Sequence, residues 1–451
     1  MNRVLFAAPK SGSGKTLISC GIMQAFINNG KKVSAFKCGP DYIDPMFHSK
    51  VIGAKSGNLD TFFCDENTVR YLLSEGADGS DITLIEGVMG YYDGLGGISV
   101  EASAYDVARV TKTPVILIVD CKGSSISIVA QIKGFVEYKE ESYIKGIILN
   151  RISPMIYSEI KRIIENEMDI RVLGYVPELK EIELESRHLG LLMPHEIDSL
   201  KEKMNTLADT LSQTVDLDGI MHLGENTEEI EFNNIAIPCV TKKVHIGVAL
   251  DQAFCFYYKE NLNLIEKMGG EIIYFSPLKD KKLPENLNGI IFGGGYPELF
   301  AKELSGNKSM MESVKNTLNK KMPCIAECGG FMYLQQKLEE DIGESHPMVG
   351  FLSGEGFKTD KLNRFGYITL KTNVDTVFGE VETEIKGHEF HYWDSTENGN
   401  ACTALKPNRN RSWQCVYADE NVFAGFPHLY FYSNVKAVFK FIEKCGEYNE
   451  A

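Results

Sequence analysis

In the first half of the chain, short apolar runs alternate with longer amphipathic stretches. The runs are RVLFAAP, KKVSAFK, DITLIEG, TPVILIVD, YIKGIILN and IRVLGYVP. Continuous apolar runs are typical of parallel strands that are buried on both faces, and the segments between them are long enough for helical crossovers. Right-handed crossovers bring the carboxyl ends of all strands to one edge of the sheet. We therefore predict an α/β domain with a parallel sheet and with its functional residues at that edge.

The alternation stops between about Asp216 and Lys243, where the sequence is acidic and aperiodic, and we place the domain boundary there. Beyond it, VHIGVAL, EIIYFSP, NGIIFGGG and MPCIAEC restore the strand pattern, and closely spaced runs such as RFGYITL and GHEFHYW follow. This order predicts a second α/β domain with antiparallel additions. The predicted domains are residues 1–235 and 236–451, since a chain of 451 residues is too long for one ordinary core.

Charge and composition limit the kinds of molecule that the protein is expected to bind. The formal net charge of −15 disfavours binding to nucleic acid or to an anionic membrane, and favours a small-molecule substrate. No apolar run approaches the roughly 18 residues of a membrane span, and the N-terminus lacks a signal-peptide core. The 11 cysteines include no C-x-x-C pair and are expected to be reduced. A cytoplasmic location is expected.

The stretch AAPKSGSGKT resembles a phosphate-binding loop, although Pro9 stands where the pattern G-x-x-x-x-G-K-[ST] has its first glycine. An apolar run precedes it and a helix-like segment follows, as such a loop requires. Backbone N–H groups and the helix N-terminus would face phosphate oxygens. The alternative is a glycine-rich turn without function, but the loop position and the G-K-T sequence favour nucleotide binding. The predicted nucleotide-binding residues are Gly12, Ser13, Gly14, Lys15 and Thr16.

A magnesium ion at this loop needs oxygen ligands, which carboxylates at neighbouring strand ends supply. Thr16, Asp41 and Glu86 are the candidates. Asp41 follows a proline and could instead form a turn, and Glu86 could cap a helix. Their expected position on the same sheet edge as Thr16 favours the metal-binding role.

In the second half, MPCIAECGGFMYL places Cys328 between an apolar run and two glycines, as in a nucleophile elbow. A thiol nucleophile needs a base, and His428 at the end of a late apolar run is the candidate. Cys324 is expected to be buried and inert. The histidines of GHEFHYW, His388 and His391, are three apart in a strand-like run rather than four apart on a helix, so we predict no zinc site there.

Eight motifs in one order carry a family resemblance: APKSGSGKT, KCGPDYIDPMFH, NLDTFF, IEGVMGYYDG, RHLGL, GGGYPE, AECGGFMYL and GHEFHY. Over nearly its whole length, the chain resembles the cobyrinic acid a,c-diamide synthase family. The resemblance implies a dethiobiotin-synthetase-like ATPase domain followed by a class I-type glutamine amidotransferase domain. It also implies ATP- and glutamine-dependent amidation of the a and c acetate carboxylates of cobyrinic acid, a step of cobalamin biosynthesis.

The resemblance also implies roles for particular residues. It assigns the nucleotide loop to the glycines with Lys15 and Thr16, the magnesium-linked acids to Asp41 and Glu86, and the nucleophile and its base to Cys328 and His428. Looser matches near the acid substrate are Tyr42, Asp44, His48, Asn58 and Asp60. The N–H of Gly329 and one from Gly293 to Gly295, with Gly294 at the centre, are the expected oxyanion-hole donors.

Two departures from the family pattern lie near the C-terminus. The usual H-x-H is PHLYF here, with Tyr430 in place of the second histidine. The glutamate that ordinary class I amidotransferases carry two residues after the histidine is absent too. The sequence therefore predicts a Cys–His dyad, with an imidazole that is less firmly oriented than in a triad.

The implied cofactors are ATP and Mg²⁺, and the implied partners are glutamine and a tetrapyrrole acid, with no nucleic acid and no membrane. The expected intermediate is an acyl phosphate, because a free carboxylate is a poor electrophile towards ammonia. Two alternatives stay open. The first is the same amidation on nickel-sirohydrochlorin, and the second is a nucleotide-dependent regulatory ATPase with a degenerate second domain. The pairing of Cys328 with His428 argues against the second.

Overall fold

The computed structural model describes residues 1–179, 194–340, 343–362 and 364–448. The chain divides into two compact units, Met1–Ile235 and Ala236–Ala451. The RHLGL motif lies outside the described residues. None of the helices in the described part of the chain combines the length and the apolar character that a membrane crossing requires.

The first unit alternates strands with helices along most of its length. Its strands are β1 (Arg3–Ala7), β2 (Val33–Cys38), β3 (Lys55–Leu59), β4 (Ile82–Glu86), β5 (Val115–Asp120), β6 (Ile144–Asn150) and β7 (Arg171–Val176). Its helices are α1 (Lys15–Asn28), α2 (Ile43–Phe47), α3 (Glu66–Ala77), α4 (Ala104–Thr111), α5 (Ser127–Glu137), α6 (Pro154–Glu167), α7 (Pro194–Thr214) and α8 (Leu217–Glu225), with a π-helical turn at His48–Ile52.

These strands form one seven-stranded sheet in the order β3-β2-β4-β1-β5-β6-β7, and every pairing in it is parallel. The predicted parallel sheet is confirmed. Strand β3 was not among the apolar runs, because its sequence KSGNL is polar and it lies at the sheet edge, where less apolar surface is buried. The central strands β1, β4 and β5 are buried along almost their whole length, which explains their continuous apolar sequence.

Helix α8 is a correction to the predicted boundary segment. Residues after Asp216 were expected to be aperiodic, yet the Asp216 carboxylate accepts the Gly219 N–H at 2.8 Å and begins a helix there. Ile220 is fully buried and belongs to the core around the sheet. Regular secondary structure is absent only from residues 226–243 of this segment, which the structure describes in full.

The second unit contains a parallel core and many short strands. Its strands are β8 (Val244–Ala249), β9 (Phe254–Phe256), β10 (Gly270–Phe275), β11 (Gly289–Phe292), β12 (Gly294–Gly295), β13 (Cys324–Glu327), β14 (Lys337–Glu339), β15 (Ser345–Pro347), β16 (Glu355–Lys358), β17 (Phe365–Thr372), β18 (Glu384–Phe390), β19 (Trp393–Ser395), β20 (Cys402–Leu405), β21 (Ser412–Cys415), β22 (Tyr417–Ala418), β23 (Val422–Gly425) and β24 (His428–Leu429). Its helices are α9 (Lys259–Lys267), α10 (Ala301–Gly306), α11 (Lys308–Asn319), α12 (Gly329–Leu334) and α13 (Val435–Glu447).

The main sheet of this unit has the order β10-β8-β11-β13-β23-β22, with parallel pairs throughout except at β22. A second, five-stranded sheet, β21-β20-β17-β18-β24, is antiparallel. The predicted α/β architecture with antiparallel additions is confirmed. Strand β13 leads to Cys328, and β24 carries His428.

The glycine loop depends on the packing of α1, the helix that follows it. Gly21 on α1 faces Leu207 and Leu211 of α7 so closely that a Cβ at residue 21 would come 2.6 Å from either side chain. Leu207 is fully buried in the core of this unit. Helix α7 therefore fixes the position of α1 against the sheet through close contact at a residue without a side chain.

Leu207→Ala is expected to lower the free energy of unfolding by about 2–5 kcal/mol, because it leaves a cavity between two helices. Urea denaturation of the variant would measure this change. Thr206→Ala, at an exposed neighbouring position, is the control and is expected to stay within about 0.5 kcal/mol of the unmodified protein. Equal stability of the two variants would contradict the packing role of Leu207.

Candidate functional site

The glycine loop between β1 and α1 has the backbone conformation of an anion-binding turn. Gly12 and Gly14 adopt left-handed φ values of 77° and 86°, which side-chain-bearing residues rarely adopt. The Asn150 amide at the end of β6 donates a hydrogen bond to the Ser13 carbonyl oxygen at 2.9 Å. A Cβ at Gly14 would clash with the same amide. The loop thus keeps its glycine geometry with Pro9 in the first position.

A buried ionic cluster lies beside this loop at the ends of β2 and β4. Thr16 Oγ1 donates to Glu86 Oε1 at 2.5 Å, and Lys37 Nζ donates to the same oxygen at 2.8 Å. The His48 Nε2 atom lies 3.1 Å from the other Glu86 oxygen, and Lys37 also forms an ion pair with Asp44 at 2.5 Å. Four of the predicted site residues, Thr16, Asp44, His48 and Glu86, therefore meet in one cluster.

The charges of the cluster control its protonation. Burial alone would raise the pKa of Glu86, but Lys37 and His48 outweigh it and hold that pKa well below its usual range. Burial and the nearby Glu86 raise the pKa of Asp44 to about 6, against the opposing effect of Lys37. Burial also lowers the pKa of Lys15, and the charge of Lys37 acts in the same direction. Glu86 is consequently ionised at neutral pH although it is fully buried.

Asp41, the magnesium candidate, and the remaining substrate-site candidates lie in the loops around this cluster. Asp41 Oδ1 accepts the N–H groups of Ile43 and Asp44 at 2.9 and 3.0 Å, so the turn-forming alternative for Asp41 is observed. Asn58 Nδ2 donates to the Asp41 carbonyl oxygen at 2.8 Å. Asp60 accepts two N–H groups from the turn that follows β3, and Tyr42 is buried.

The donor atoms beside the loop suit a hard divalent cation. Thr16 Oγ1 and the ionised Glu86 carboxylate provide adjacent oxygens, which are the ligands that Mg²⁺ prefers. Asp41 fits less directly, because one of its carboxylate oxygens already binds two backbone N–H groups. The ligand atoms of Cys20, His48 and Glu86 also lie within 4.8 Å of one another, but a thiol and an imidazole do not suit magnesium.

A cavity of about 400 Å³ opens beside the glycine loop, within the size range of small-ligand pockets. Arg151 lines it and is held by a bond from its Nε to Asp120 Oδ1 at 2.8 Å. The lining residues are Gly12, Gly14, Leu17, Lys122, Asn150, Arg151, Pro177, Glu178 and Leu179.

Sequence reasoning missed two residues of this site, Lys37 and Asn150. Lys37 ends the apolar run KKVSAFK, and a lysine inside a buried strand was the available signal, since such a charge needs a partner. Asn150 ends YIKGIILN in the same way. Both are polar residues at the carboxyl end of a buried strand.

In the second unit, Cys328 occupies a sharp turn between β13 and α12. Its φ of 48° and ψ of −99° are strained for a residue with a side chain. The Cys328 N–H donates to the Gly425 carbonyl oxygen at 2.7 Å, which ties the turn to the end of β23. Burial and the charge of Glu298 raise the pKa of the Cys328 thiol, although the Gly329 N–H acts in the opposite direction. A nucleophile elbow requires such a sharp turn between a strand and a helix, and the role of Cys328 as the nucleophile stays a prediction.

His428 lies on β24, directly opposite His388 of β18, and the two rings stack with centroids 5.1 Å apart. Burial and the neighbouring His388 and His391 lower the pKa of His428 well below its usual range, so the imidazole is neutral. Its Nδ1 atom lies 3.9 Å from Glu327 Oε2. His391 stacks instead on Phe426, with centroids 4.0 Å apart.

The predicted oxyanion-hole glycines lie next to both catalytic candidates. Gly294 faces the His428 ring, and a Cβ there would clash with Cε1. A Cβ at Gly329 would come 3.3 Å from the Gly295 nitrogen, and the Gly330 N–H donates to the Gly293 carbonyl oxygen at 3.0 Å. The structure therefore brings the GGG turn, the Cys328 elbow and His428 together.

The fold and the two sites define a class: a P-loop nucleotide-binding unit and a glutamine amidotransferase unit in one chain. Residues 4–192 match the CobQ/CobB/MinD/ParA nucleotide binding domain, and residues 245–436 match the CobB/CobQ-like glutamine amidotransferase domain.

Whole-length relatives identify the family. The chain is 38% identical over 448 residues to the cobyrinate a,c-diamide synthase of Caldanaerobacter subterraneus, with 98% of each chain covered. It is 40% identical over 443 residues to that of Listeria innocua, covering 96% of this chain and 97% of the relative. The corresponding Thermoplasma volcanium protein is 35% identical over 454 residues, with 99% and 98% covered. The chain belongs to the cobyrinate a,c-diamide synthase family and is a glutamine-hydrolysing carbon–nitrogen ligase.

The strained turn at Cys328 yields a stability prediction. Glycine normally costs about 0.5–1 kcal/mol relative to alanine, but a positive φ favours glycine by removing strain of about 1–3 kcal/mol. Cys328→Gly is therefore expected to be at least as stable as Cys328→Ala, as compared by thermal or urea unfolding. A glycine variant about 1 kcal/mol less stable than the alanine variant would show that the turn is unstrained.

Proposed function

We propose that this protein uses ATP and glutamine to amidate the a and c acetate carboxylates of cobyrinic acid. The observation that most directly supports a two-step amidation is the presence of both sites in one chain: the Thr16–Glu86 pair beside a glycine loop, and the Cys328 elbow beside His428. The identity of the acid rests on relatives named for cobyrinate that match the chain over 98% of its length.

In the first half-reaction, the γ-phosphoryl group of ATP passes to an oxygen of the substrate carboxylate, giving an acyl phosphate and ADP. The loop N–H groups and Lys15 hold the phosphates, and the cavity lined by Asn150 and Arg151 receives the nucleoside. Lys37 adds a second buried positive charge at the same edge of the sheet. Mg²⁺ held by Thr16 and Glu86 would neutralise phosphate charge.

In the second half-reaction, the Cys328 thiol gives its proton to His428 and its sulfur attacks the amide carbon of glutamine. The C–N bond then breaks, the proton from His428 leaves with ammonia, and a thioester remains on Cys328. Water, deprotonated by His428, hydrolyses the thioester to glutamate and regenerates the thiol. The Gly329 N–H and the Gly293 to Gly295 turn stabilise the negatively charged oxygen of both tetrahedral intermediates. Ammonia finally displaces phosphate from the acyl phosphate and forms the amide.

Two alternatives differ in substrate or in class. Nickel-sirohydrochlorin presents similar acetate groups, so the chemistry above applies to it unchanged. The deciding experiment incubates the protein with ATP, glutamine and either cobyrinic acid, sirohydrochlorin or their metal chelates, and follows by mass spectrometry the conversion of carboxylic acids to amides. Conversion of two carboxylates on cobyrinic acid alone supports the proposal, and preferential amidation of the nickel chelate contradicts it. A regulatory ATPase would hydrolyse nucleotide without amidating any of them.

The two half-reactions are expected to separate by mutation. Cys328→Ala removes the nucleophile, so glutamine-dependent amidation should be lost while amidation with ammonium salt at about pH 8.5 persists.

Lys15→Ala removes the positive charge that contacts the transferred phosphoryl group. It should therefore lower amidation from either nitrogen source by at least about 100-fold. Both rates follow from product mass. Cys324→Ala, at a buried cysteine outside the elbow, is the control. Normal ammonium-dependent amidation by Lys15→Ala would contradict the nucleotide site.

Glu86 and Asp41 are expected to differ in their effect on magnesium. Glu86→Gln removes the ionised oxygen beside Thr16 and should raise the Mg²⁺ concentration needed for ATP turnover at least about tenfold, or abolish turnover. Asp41→Asn keeps an oxygen acceptor for the two backbone N–H groups and should have the smaller effect. Mg²⁺ titrations of ATP hydrolysis measure both, with glutamine hydrolysis as the test of an intact fold. Identical titrations for Glu86→Gln and the unmodified protein would rule out Glu86 as a ligand.

A further inference from the structure

The glutamine site contains a carboxyl group that the sequence pattern does not assign. Tyr430 stands where ordinary class I amidotransferases have the glutamate of the triad, and its ring packs on Tyr258 with centroids 5.0 Å apart. Glu327, the residue before the nucleophile, approaches His428 from β13 instead. The register Glu327↔Gly425 places this side chain beside the segment that leads into β24.

The Glu327 carboxyl group links the nucleophile strand to the histidine strand. Its Oε1 atom accepts the N–H of Leu429, the residue after His428, at 3.1 Å. Its Oε2 atom lies 3.9 Å from His428 Nδ1. The backbone bond fixes the carboxyl group at this ring nitrogen, and only a small movement is needed for an Nδ1–H to reach Oε2 at hydrogen-bond distance.

We propose that Glu327 is the positioning residue of a Cys328–His428–Glu327 triad, in which its carboxylate accepts the Nδ1–H of His428. This inference rests on the proposed glutamine hydrolysis. With the proton fixed on Nδ1, the lone pair lies on Nε2, which takes the proton from the Cys328 thiol. The carboxylate then stabilises the imidazolium that forms, and the Nε2 proton leaves with ammonia.

The surroundings of His428 make such a carboxylate necessary. Burial, His388 and His391 all oppose a positive charge on the ring, so proton transfer from the thiol is costly without a nearby negative charge. Glu298 and Glu389 act on the Cys328 thiol in the same direction as Glu327, and all three raise its pKa. Glu389 already lies 3.4 Å from His391 Nε2.

The Glu327 carboxyl group itself changes charge near neutral pH. Burial raises its pKa to about 8, with the Leu429 N–H acting in the opposite direction. The ionised form that accepts the Nδ1–H therefore becomes dominant as the pH rises through about 8. Glutamine hydrolysis by the unmodified protein is expected to rise over this range. Glu327→Gln should remove this part of the rise, and the titration of the thiol and of the groups around it should remain.

The experiment measures glutamine hydrolysis by the full chain for Glu327→Ala, Glu327→Gln and Asp419→Ala. A triad carboxylate is worth roughly 10²–10⁴ in kcat, so both Glu327 variants should fall by at least about 100-fold with KM for glutamine little changed. Added formate should restore part of the activity of Glu327→Ala, because it supplies a carboxylate in the vacated space. Asp419, whose carboxylate also accepts backbone N–H groups in this unit, is the matched control for a purely structural loss.

The results of this experiment distinguish the triad from a purely structural role of Glu327. A kcat for either Glu327 variant within about threefold of the unmodified protein overturns the triad, since the expected loss is far larger. Loss in Glu327→Ala without formate rescue, together with normal kcat in Glu327→Gln, overturns it too and leaves a structural role. If Glu327→Ala does not fold, Glu327→Gln decides: low kcat at an unchanged melting temperature supports the triad. Failure of the unmodified protein to hydrolyse glutamine would instead contradict the proposed function.

Discussion

Parallel strand pairing constrains both units, because it brings the carboxyl ends of successive strands to the same edge of a sheet. In the first unit, the glycine loop follows β1, the Glu86 side chain ends β4, and Asn150 ends β6. In the second unit, the GGG turn follows β11, Cys328 follows β13, and His428 follows β23 by three residues. Many of the candidate site residues of each unit therefore lie at the end of a strand or in the loop that follows it.

The same residue type has opposite properties at the two edges, and the neighbours account for the difference. Glu86 is fully buried yet ionised, because Lys37 and His48 both face its carboxylate. Glu327 is buried beside a neutral imidazole and a backbone N–H, and burial dominates its pKa. A carboxylate that binds a cation must stay charged, whereas one that supports a proton transfer benefits from a pKa near neutrality. Each environment suits the role proposed for its glutamate.

The sequence predicts the architecture well, because buried parallel strands are continuous apolar runs. The phosphate-binding loop and the turn at Cys328 are also recognisable from their local glycine patterns. The sequence misses β3, whose edge position tolerates the polar sequence KSGNL, and helix α8, which is only nine residues long and contains two glycines. It also misses Lys37 and Glu327 as site residues. Their importance depends on partners that are distant in sequence, 49 residues away for Glu86 and 101 for His428, and strand register alone brings these groups together. The local sequence pattern does not show which residues of two distant strands lie side by side.

The contact between Gly14 and Asn150 limits which amino-acid replacements this loop can accept during evolution. The asparagine amide occupies the volume that a side chain at residue 14 would need, and it also holds the carbonyl group of Ser13. A larger residue at position 14 is therefore excluded while the asparagine is present, and shortening the asparagine frees the space but releases the loop. The two positions, 136 residues apart, form an epistatic pair in which neither single replacement leads by small steps to a different working loop.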